Sequence, residues 1–412
     1  MKALYDIAIG GASLLMKVAA LVHPKAKAMV QGRKGLIDQV RSRFKDVSQR
    51  TIWMHCASVG EFEQGRPVLE FLRTEFPQYK LVLTFFSPSG YELRKNYAGA
   101  DHIFYLPWDT EKNAADFINI INPVLVIFVK YEFWLHYTAI LHQRNIPLIS
   151  ISSIFREDQL FFRSYGAFYR QILHNFAHFF VQNDASLELL KSIGITNATK
   201  AGDTRFDRVK QIVSNPQEIP NAERFKAGQK LMVVGSCWSE DMEVLAPFIN
   251  EQRLKFIIAP HEISEDFLST IESMLVGTSI RYSKCEGKDL EDYQILLIDN
   301  VGLLSRLYRY GEFAFVGGAY GKGLHNILEA ACNGVPVLFG NRNYEKFQEA
   351  VDLINRGGAF EIADYTDLKM KYEMLNVPEN FLLACEVTKQ YVEENLGATS
   401  IILEYCHKQI DL

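Results

Sequence analysis

The sequence predicts an α/β protein made of two facing Rossmann-like domains. Short apolar runs of buried-strand type alternate with helical segments in both halves of the 412 residues, as in parallel sheets covered by helices on both faces. A polar stretch at 209–230, with Asn215-Pro216 and Pro220, separates the halves like a linker. A glycine-rich turn between two strands of the second half predicts a nucleotide site there.

Composition narrows the possible classes. A chain of this length holds roughly two to three domains. The net charge of −5 gives no general footprint for nucleic acid. The six cysteines are scattered without a Cys-x-x-Cys pair, which indicates a reducing compartment and no zinc site.

The first fifty residues differ from the rest. Ala3–Val22 is mostly apolar and about as long as a membrane span, but it carries Asp6 and Lys17. A helix lying in the membrane interface is one alternative, and a buried N-terminal helix with a solvated basic face is another. A basic run follows, of a kind that stays on the cytoplasmic side and attracts anionic head groups. It consists of Lys25, Lys27, Arg33, Lys34, Arg41, Arg43, Lys45 and Arg50.

Strands of the first half are predicted from short apolar runs. They are Thr51–Cys56, Leu81–Phe85, Ile103–Leu106, Val124–Val129, Pro147–Ser152, Phe179–Gln182 and Ala198–Ala201. Ligands of such folds bind beyond the carboxyl ends of the strands. Residues that directly follow a strand are therefore the first candidates for a site.

Three charged residues of the first half occupy such positions. Glu61 follows the first strand after a glycine turn, where it could act as a base or only satisfy a helix start. Glu132 follows Val124–Val129, among aromatic neighbours; it could be a base or a buried carboxylate paired with Arg205 or Lys130. Arg205 itself follows the last predicted strand.

The second half repeats the alternation. Its predicted strands are Leu231–Val234, Phe256–Ala259, Ile295–Ile298, Phe313–Val316 and Pro336–Phe339. Pro260 and His261 follow the second of these, and His261 suits a phosphate contact or a plain loop position. Val301, Gly302 and Leu303 belong to a turn that opens a helix. A last helix is expected at about Phe381–His407.

The glycine-rich turn lies between Phe313–Val316 and a helix predicted from His325 to Gly334. A helix start there offers free N–H groups to an anion. Asn326 and Glu329 share one helix face, and a carboxylate at that place can accept from both hydroxyls of a ribose. An ordinary βαβ crossover, with glycines only for close packing, is the alternative. No Asp-x-Asp occurs, so no diphosphate–metal site of that type is expected.

Several motifs, in their order and spacing, resemble the lipid A Kdo transferases, the 3-deoxy-D-manno-octulosonic acid transferases of lipopolysaccharide synthesis. The matching pieces are Ala57-Ser58-Val59-Gly60-Glu61, Ser87-Pro88-Ser89-Gly90, Leu106-Pro107-Trp108-Asp109, Glu132-Phe133-Trp134, Gly202 to Asp207, Ala259-Pro260-His261 and Phe315 to Glu329. Each piece is weak alone, and together they extend over nearly the whole chain.

The resemblance implies a GT-B fold and an inverting, metal-independent transfer of Kdo from CMP-Kdo to the 6′-hydroxyl of a lipid A precursor, lipid IVA. No cofactor and no metal is implied. Glu61 would be the general base, and Glu132 and Arg205 would stabilise the transition state. CMP would lie against the residues Pro260, His261, Val301, Gly302, Leu303, Asn326, Ile327, Leu328 and Glu329.

The expected domains follow the same comparison. An N-terminal membrane anchor occupies 1–22, an acceptor-binding domain 23–208, a linker 209–230, a CMP-sugar-binding domain 231–385 and a C-terminal helix 386–412, which could cross back to the first domain. The catalytic body would lie on the cytoplasmic face of the inner membrane. The partners would be CMP-Kdo, the lipid acceptor and the membrane surface, without nucleic acid.

Three positions depart from the family pattern. Lys130 stands where an acid is frequent, Arg205 where a lysine is frequent, and Leu324 where a glycine is frequent. An arginine keeps the charge of a lysine but has different geometry. The alternatives to a Kdo transferase are another GT-B transferase or epimerase with a different sugar nucleotide, or a membrane-bound nucleotide-sugar binding protein without catalysis.

Overall fold

The computed structural model describes residues 1–410, which form two compact units. Unit 1 contains Met1–Arg208 and the C-terminal segment from Leu396, and unit 2 is Val209–Asn395. Each unit holds one seven-stranded sheet in which every pair of neighbouring strands is parallel. The prediction of two parallel-sheet, Rossmann-like domains is therefore confirmed.

Unit 1 has the strand order β3-β2-β1-β4-β5-β6-β7. Its strands are β1 Thr51–Cys56, β2 Lys80–Phe85, β3 His102–Tyr105, β4 Pro123–Val129, β5 Leu148–Ser153, β6 His178–Val181 and β7 Ala198–Lys200. Its helices are α1 Lys2–Ala19, α2 Pro24–Gln31, α3 Leu36–Arg43, α4 Val59–Glu75, α5 Pro88–Arg94, α6 Glu111–Ile121, α7 Leu135–Gln143, α8 Ala167–Leu173 and α9 Asp184–Ser192. A 3-10 turn occupies Leu160–Phe162, and α10 Thr204–Ser214 leads the chain into unit 2.

Unit 2 has the strand order β10-β11-β9-β8-β12-β13-β14. Its strands are β8 Leu231–Cys237, β9 Lys255–Pro260, β10 Ser279–Arg281, β11 Ile295–Leu297, β12 Phe313–Val316, β13 Val337–Gly340 and β14 Ala359–Ile362. Its helices are α11 Pro220–Lys226, α12 Ser239–Glu251, α13 Glu265–Met274, α14 Leu304–Leu307, α15 Leu328–Ala331, α16 Gln348–Arg356, α17 Tyr365–Leu375 and α18 Pro378–Glu394. The 3-10 turns are Tyr282–Lys284, Leu290–Asp292 and Tyr308–Tyr310.

The central strands are buried on both faces, and their side chains alternate between two cores. In β1, Trp53 enters the core formed with Phe117, Phe128 and Tyr137, whereas Met54 enters the opposite core. Because successive strand residues point to opposite faces, a run without polar interruptions marks such a doubly covered strand. This is why the apolar runs of the sequence locate the strands correctly.

The segment 209–230, which the sequence predicts as a linker, contains helical structure. The stretch 209–230 holds the end of α10 and all of α11, with Ala222 and Phe225 buried. The C-terminal region also differs from the expected single helix. It breaks between α18 and α19 Ala398–Ile410, where Gly397 takes a left-handed φ of 105°. Asp207 accepts hydrogen bonds there from the N–H groups of Gly397 and Thr399, which docks α19 on unit 1.

Helix α1 lies at the surface of unit 1 with none of its residues buried. Tyr5 donates to Asp109, Asp6 pairs with His136 at 2.6 Å, and Lys2 pairs with Glu111. Within residues 1–410, no helix combines the length and the apolar character needed to cross a membrane.

Candidate functional site

In unit 1, the candidate catalytic carboxylates lie where the strand order reverses. The chain steps outward from β1 through β2 to β3, then returns to the other side of β1 with β4. Glu61 is in the first turn of α4, just after β1, and Glu132 follows β4. Ligands of open α/β sheets bind at such a reversal point. Glu61 is hydrogen-bonded to Ser58, which closely follows β1, and Glu132 lies 2.9 Å from His55 of β1, so both carboxylates lie near the same strand end. Burial raises the pKa of the Cys56 thiol at this end of the strand, and the charges of Glu61 and Glu132 raise it further.

Glu61 acts as the acceptor at the start of α4. Its Oε2 accepts from the backbone N–H of Ser58 at 3.0 Å and from the Ser58 hydroxyl. This is the reciprocal capping arrangement that fixes the first turn of a helix. Among the described residues, nothing donates to Oε1, so one oxygen holds the side chain in place and the other can accept a proton. Helix capping and base catalysis are therefore compatible at this residue.

Glu132 is almost enclosed, with 11% of its side chain exposed. Its Oε2 receives the Trp134 indole N–H at 2.6 Å and lies 2.9 Å from Nε2 of His55, which is fully buried in β1. The sequence left open whether Glu132 pairs with Arg205 or Lys130. The structure places His55, a histidine of the neighbouring strand, against it.

Arg205 is held at the start of α10 by Asp203. The guanidinium donates through Nε and a terminal nitrogen to Asp203 Oδ2, both at 2.8 Å. Gln64 of α4 also donates to Asp203, at 3.1 Å, and the neighbouring Thr204 hydroxyl donates to the Gln64 carbonyl. Asp203 is buried, and the pairing with Arg205 lowers its pKa against the effect of burial. Helix α4 thus carries Glu61 and anchors the loop that presents Arg205.

Lys130, one of the departures from the family pattern, adopts a left-handed backbone with φ of 64°. Its carbonyl accepts from Ser153 at 3.4 Å, and its ammonium lies 5.8 Å from the centre of the Tyr131 ring. A non-glycine residue in this region is uncommon and marks a constrained turn. The turn redirects the chain at the end of β4, so that Glu132 comes back toward β1.

In unit 2, the strand order also reverses between β8 and β12, and three rings meet there. The ring of His261 stacks on Trp238 and on His325, with centroids 4.4 Å apart in both pairs. The Trp238 indole N–H donates to His325 Nε2 at 2.9 Å, and Lys322 lies 3.9 Å above the indole ring. These residues follow β8, β9 and β12, three adjacent strands. The cluster offers flat ring faces and one cation, Lys322, to a ligand.

Partial burial favours the neutral form of both imidazoles. It lowers the pKa of His325 to about 4, with a smaller contribution from His261, and it also lowers the pKa of His261, to which Lys322 contributes. The hydrogen bond from Trp238 requires the same state, because Nε2 of His325 can accept only when it carries no proton. The positive charge of this cluster therefore comes from Lys322 near neutral pH.

The glycine-rich turn after β12 is tied to the turn after β8 by Asp241. Asp241 Oδ2 accepts from the N–H groups of Trp238 at 2.8 Å and Gly318 at 2.9 Å, and burial raises its pKa to about 6. Gly318 has φ of 95°, and a Cβ there would lie 2.5 Å from the Gly323 carbonyl oxygen. These glycines permit both a left-handed backbone and close packing.

Two of the predicted nucleotide residues are in direct contact with each other. Asn326 donates to Glu329 Oε1 at 3.1 Å, so these two form a unit. Ile327, Leu328 and Pro260 are buried and can offer backbone atoms. Val301 is 91% exposed, and Gly302 has φ of 95° in the turn that ends at Leu303.

One local prediction is wrong. The helix expected from His325 to Gly334 comprises only Leu328–Ala331. The turn at Val301–Leu303 does open a helix, as expected, and that helix has four residues. Asn326 explains the late start, since its Oδ1 accepts from the Leu328 N–H at 3.2 Å and holds the preceding residues in a turn. Gly334 does end this segment in a left-handed conformation, φ 69°.

The residues of the two sites that were not predicted include His55, Trp238, Asp241, Lys322 and His325. A signal was present for His55, the only basic residue in a strand that is otherwise apolar apart from its first residue. Trp238 and Asp241 follow β8 at the position where ligand-binding turns occur. Across residues 1–410, no group of three or more His, Cys, Asp or Glu side chains is arranged to hold a metal ion.

Comparison with known protein families extends these observations. Residues 31–208 match the family model for 3-deoxy-D-manno-octulosonic-acid transferase (kdotransferase). The chain is 26% identical over 335 residues to the 3-deoxy-D-manno-octulosonic acid transferase of Aquifex aeolicus, covering 79% of this chain and 86% of that protein. It is 25% identical to the corresponding transferase of Rickettsia bellii, covering 87% and 88%.

Two solved structures with a similar architecture are described as UDP-N-acetylglucosamine 2-epimerases. A UDP-GlcNAc 2-epimerase from Neisseria meningitidis, bound to UDP-GlcNAc, aligns with a TM-score of 0.62 at 16% identity, over 87% of this chain and all of that one (100%). A putative UDP-N-acetylglucosamine 2-epimerase from Listeria monocytogenes gives 0.58 at 15% identity, over 87% and 95%. At such identities the likeness shows the fold alone, two Rossmann-like domains of the GT-B kind.

Proposed function

Because the chain is related to the 3-deoxy-D-manno-octulosonic acid transferases through its family match and its relatives, we propose that it transfers Kdo from CMP-Kdo to the 6′-hydroxyl of a lipid A precursor, lipid IVA, and releases CMP. The observation that carries this proposal is the pair Glu61 and Glu132 near the end of β1, at the reversal point of the sheet in unit 1. That is where the fold class binds its ligands.

The proposed reaction begins at Glu61. Its Oε1 accepts the proton of the acceptor hydroxyl while Oε2 stays fixed to Ser58. The hydroxyl oxygen then forms a bond to the anomeric carbon of Kdo, on the face opposite the leaving group, so the configuration inverts. The bond from that carbon to the phosphate oxygen breaks, and CMP leaves with the electron pair. A fixed base gives a large advantage because its orientation needs no further ordering.

Glu132 and Arg205 are proposed to stabilise charge as this bond breaks. Glu132 faces the site with a carboxylate fixed at one oxygen by two ring N–H groups. The Arg205 guanidinium is oriented by Asp203 through two contacts of 2.8 Å. Fixed charges in a site with little water stabilise a transition state more than mobile ones.

The proposed binding site of CMP is the cluster of Trp238, His261, His325 and Lys322 in unit 2. The stacked rings of Trp238, His261 and His325 provide flat faces for the base or sugar, and Lys322 provides a positive charge for the single phosphate. Glu329, oriented by Asn326, is placed to accept from ribose hydroxyls. A monophosphate leaving group needs no diphosphate–metal bridge, so residues of the chain suffice for its charge.

A direct test is transfer from CMP-Kdo to a tetra-acylated lipid A precursor, read by mass spectrometry with chelator present. The expected product is heavier than the acceptor by one or more Kdo residues, and the mass also counts them. A UDP-sugar in place of CMP-Kdo should give no product. Transfer or epimerisation of the UDP-sugar, with none from CMP-Kdo, would replace the proposal with a different sugar-nucleotide enzyme. CMP-Kdo binding without turnover would indicate a binding protein.

We also propose that α1 attaches the protein to the cytoplasmic face of the inner membrane, lying in the interface. Its polar contacts with unit 1 are confined to Lys2, Tyr5 and Asp6, and its apolar side chains are exposed. These are Leu4, Ile7, Leu14, Leu15 and Val18, followed by Leu21 and Val22. An exposed apolar helix followed by cations fits anionic lipid, where each nearby cation adds about 1 kcal/mol.

Arg33 is not one of the exposed cations that follow α1. It is half-buried, donates to the carbonyls of Leu106 and Phe86, and lies 5.2 Å from the centre of the Trp108 ring. Burial lowers its pKa to about 10. The exposed cations that remain are Lys25, Lys27, Lys34, Arg41, Arg43, Lys45 and Arg50.

Vesicle flotation tests this attachment. The wild type should float with phosphatidylglycerol vesicles, and salt should weaken the binding. The double variant Leu14→Glu/Leu15→Glu should stay in solution. The control is Val276→Glu/Met370→Glu, which changes two exposed apolar residues of unit 2 and should float like the wild type. Equal flotation of both double variants would contradict the role of α1.

A further inference from the structure

We propose that His55 is a positioning residue that fixes the carboxylate of Glu132 for the transfer reaction. The inference rests on the proposed function, since it assigns to His55 a role that acts through Glu132. The geometry points to it because His55 Nε2 lies 2.9 Å from Glu132 Oε2 inside the unit 1 core. The His55 side chain is fully buried, so it can influence the site only through its contact with Glu132.

The surroundings of His55 leave its ring in one place. It lies in β1, between Thr84 of β2 and Phe128 of β4, with the Phe128 ring packed edge-on at 5.3 Å. A polar ring in such a core is costly unless both nitrogens are paired. Both nitrogens are paired here, Nδ1 with Thr84 and Nε2 with Glu132. An apolar residue would fill the same space without that requirement.

The partners of the two ring nitrogens indicate where the proton lies. The indole N–H of Trp53 donates to the Thr84 hydroxyl oxygen at 2.8 Å. His55 Nδ1 lies 2.8 Å from that hydroxyl oxygen, from which it can accept a hydrogen bond, and 3.1 Å from the Thr84 carbonyl oxygen. An ionised carboxylate only accepts, so Nε2 carries a proton and donates a hydrogen bond to Glu132. Neutral imidazole has one donor and one acceptor nitrogen, and this arrangement satisfies both.

The two donors converge on the same atom of Glu132. His55 Nε2 and Trp134 Nε1 both meet Oε2, at 2.9 Å and 2.6 Å. Among residues 1–410 no donor meets Oε1, which is the oxygen left for a ligand. Glu132 lies in a loop without regular secondary structure, so its side chain needs these external supports. A group held from behind in this way loses less freedom when the transition state forms.

The decisive experiment compares His55→Leu, His55→Gln and Glu132→Ala, alone and combined, for kcat and KM of Kdo transfer. We expect His55→Leu to lower kcat by about tenfold to a hundredfold, with CMP affinity unchanged. His55→Gln should recover most of the rate, because its amide can still donate. In the Glu132→Ala background, His55→Leu should cause no further loss, since residues that act as one unit are not additive.

A matched control separates positioning from folding. His178 is another strand histidine, 2.9 Å from a threonine hydroxyl on the adjacent strand, and no carboxylate within residues 1–410 is paired with it. His178→Leu should leave kcat at the wild-type value. Full additivity of His55→Leu with Glu132→Ala would overturn the inference, as would a folded His55→Gln that is no better than His55→Leu.

A measurement without turnover keeps this test independent of the proposed reaction. Ring ¹⁵N spectra of histidine-labelled protein, assigned by the loss of one signal in His55→Gln, should show His55 with its proton on Nε2. That signal should shift in Glu132→Gln. A proton on Nδ1 alone would contradict the positioning role even in an active enzyme. The expected spectrum with no transfer from CMP-Kdo would instead refute the proposed function and leave the contact intact.

Discussion

The two sheets have closely related strand orders and carry opposite kinds of chemistry at their reversal points. In unit 1 the turns after β1 and β4 present carboxylates, each fixed by hydrogen bonds from neighbouring side chains. In unit 2 the turns after β8 and β12 present stacked rings, a lysine and glycines. The fold determines where a ligand can bind, and the turn residues determine which chemistry is available there.

The difference is also one of rigidity. Glu61, Glu132 and Arg205 each have a partner that fixes their orientation, as a group that handles protons or developing charge requires. His261 and Lys322 are exposed, and they contact other residues mainly by ring stacking and by the approach of the ammonium to the Trp238 ring. Such a surface suits binding and release of a nucleotide.

The largest expected effect is on the rate of transfer. Glu61→Gln should lower kcat by about 10²- to 10⁴-fold, the usual contribution of a general base, because an amide oxygen cannot take the acceptor proton. Glu63→Gln is the matched control: Glu63 lies on the same helix but is paired with Arg94 at 2.9 Å. A rate in Glu61→Gln equal to that of Glu63→Gln would remove Glu61 as the base.

A smaller effect, confined to nucleotide binding, is expected from Gly318→Ala. The new Cβ would combine a left-handed backbone, about 1–2 kcal/mol, with a 2.5 Å approach to the Gly323 carbonyl oxygen. The turn must move, and CMP affinity measured by calorimetry should fall at least about tenfold, equivalent to 1.4 kcal/mol.

Gly357→Ala provides the comparison for that change. Gly357 has φ of 85° at the end of α16 but no atom within 4 Å of the added Cβ. It should lower the melting temperature and leave CMP affinity unchanged. Equal loss of CMP affinity in both variants would show that the effect is general destabilisation and not the shape of the turn.

The smallest expected effect concerns acid stability of unit 2. The pKa of His325 is about 4 in the folded protein, against an ordinary value near 6.5. Between these two pH values the unfolded chain therefore binds a proton at His325 that the folded protein does not bind. The contribution of neutral His325 is complete above pH 6.5 and is lost as the pH falls toward 4. His325→Gln does not titrate. Its melting temperature relative to the wild type should therefore rise between pH 7 and pH 5.

The buried Asp241 acts in the opposite direction, because its pKa of about 6 lies above the ordinary value and acidification favours its folded form. The comparison of wild type with His325→Gln cancels this background, since both proteins contain Asp241. A difference between the two melting temperatures that does not change with pH would contradict the buried, neutral state of His325.

Sequence reasoning located the fold well because its signals are local. Apolar runs marked twelve of the strands within one or two residues at most ends, although β8 continues three residues beyond its predicted end. The edge strands β10 and β14 were missed, because Ser279–Arg281 and Ala359–Ile362 are short and only partly buried. An edge strand needs no long apolar run, since one of its sides has no strand neighbour.

The candidate site was predicted less completely, because its geometry depends on contacts between distant residues. Glu61 and Glu132 could be found from their positions after strands. Their partners could be found only in part: Ser58 lies within the same turn, but His55 is 77 residues from Glu132 in the chain. The length of helix α15 was overestimated, because helical spacing alone suggested a helix that starts earlier. Asn326 and the glycines instead hold a turn before Leu328.

One measurement tests most directly the division of work between the two units. CMP affinity and the Kdo transfer rate are determined side by side for Glu61→Gln and Glu329→Gln. We expect Glu61→Gln to bind CMP like the wild type and to lose transfer. We expect Glu329→Gln to bind CMP about 10- to 100-fold more weakly, the value of hydrogen bonds to a charged group. Loss of CMP affinity in Glu61→Gln, with normal affinity in Glu329→Gln, would contradict the account.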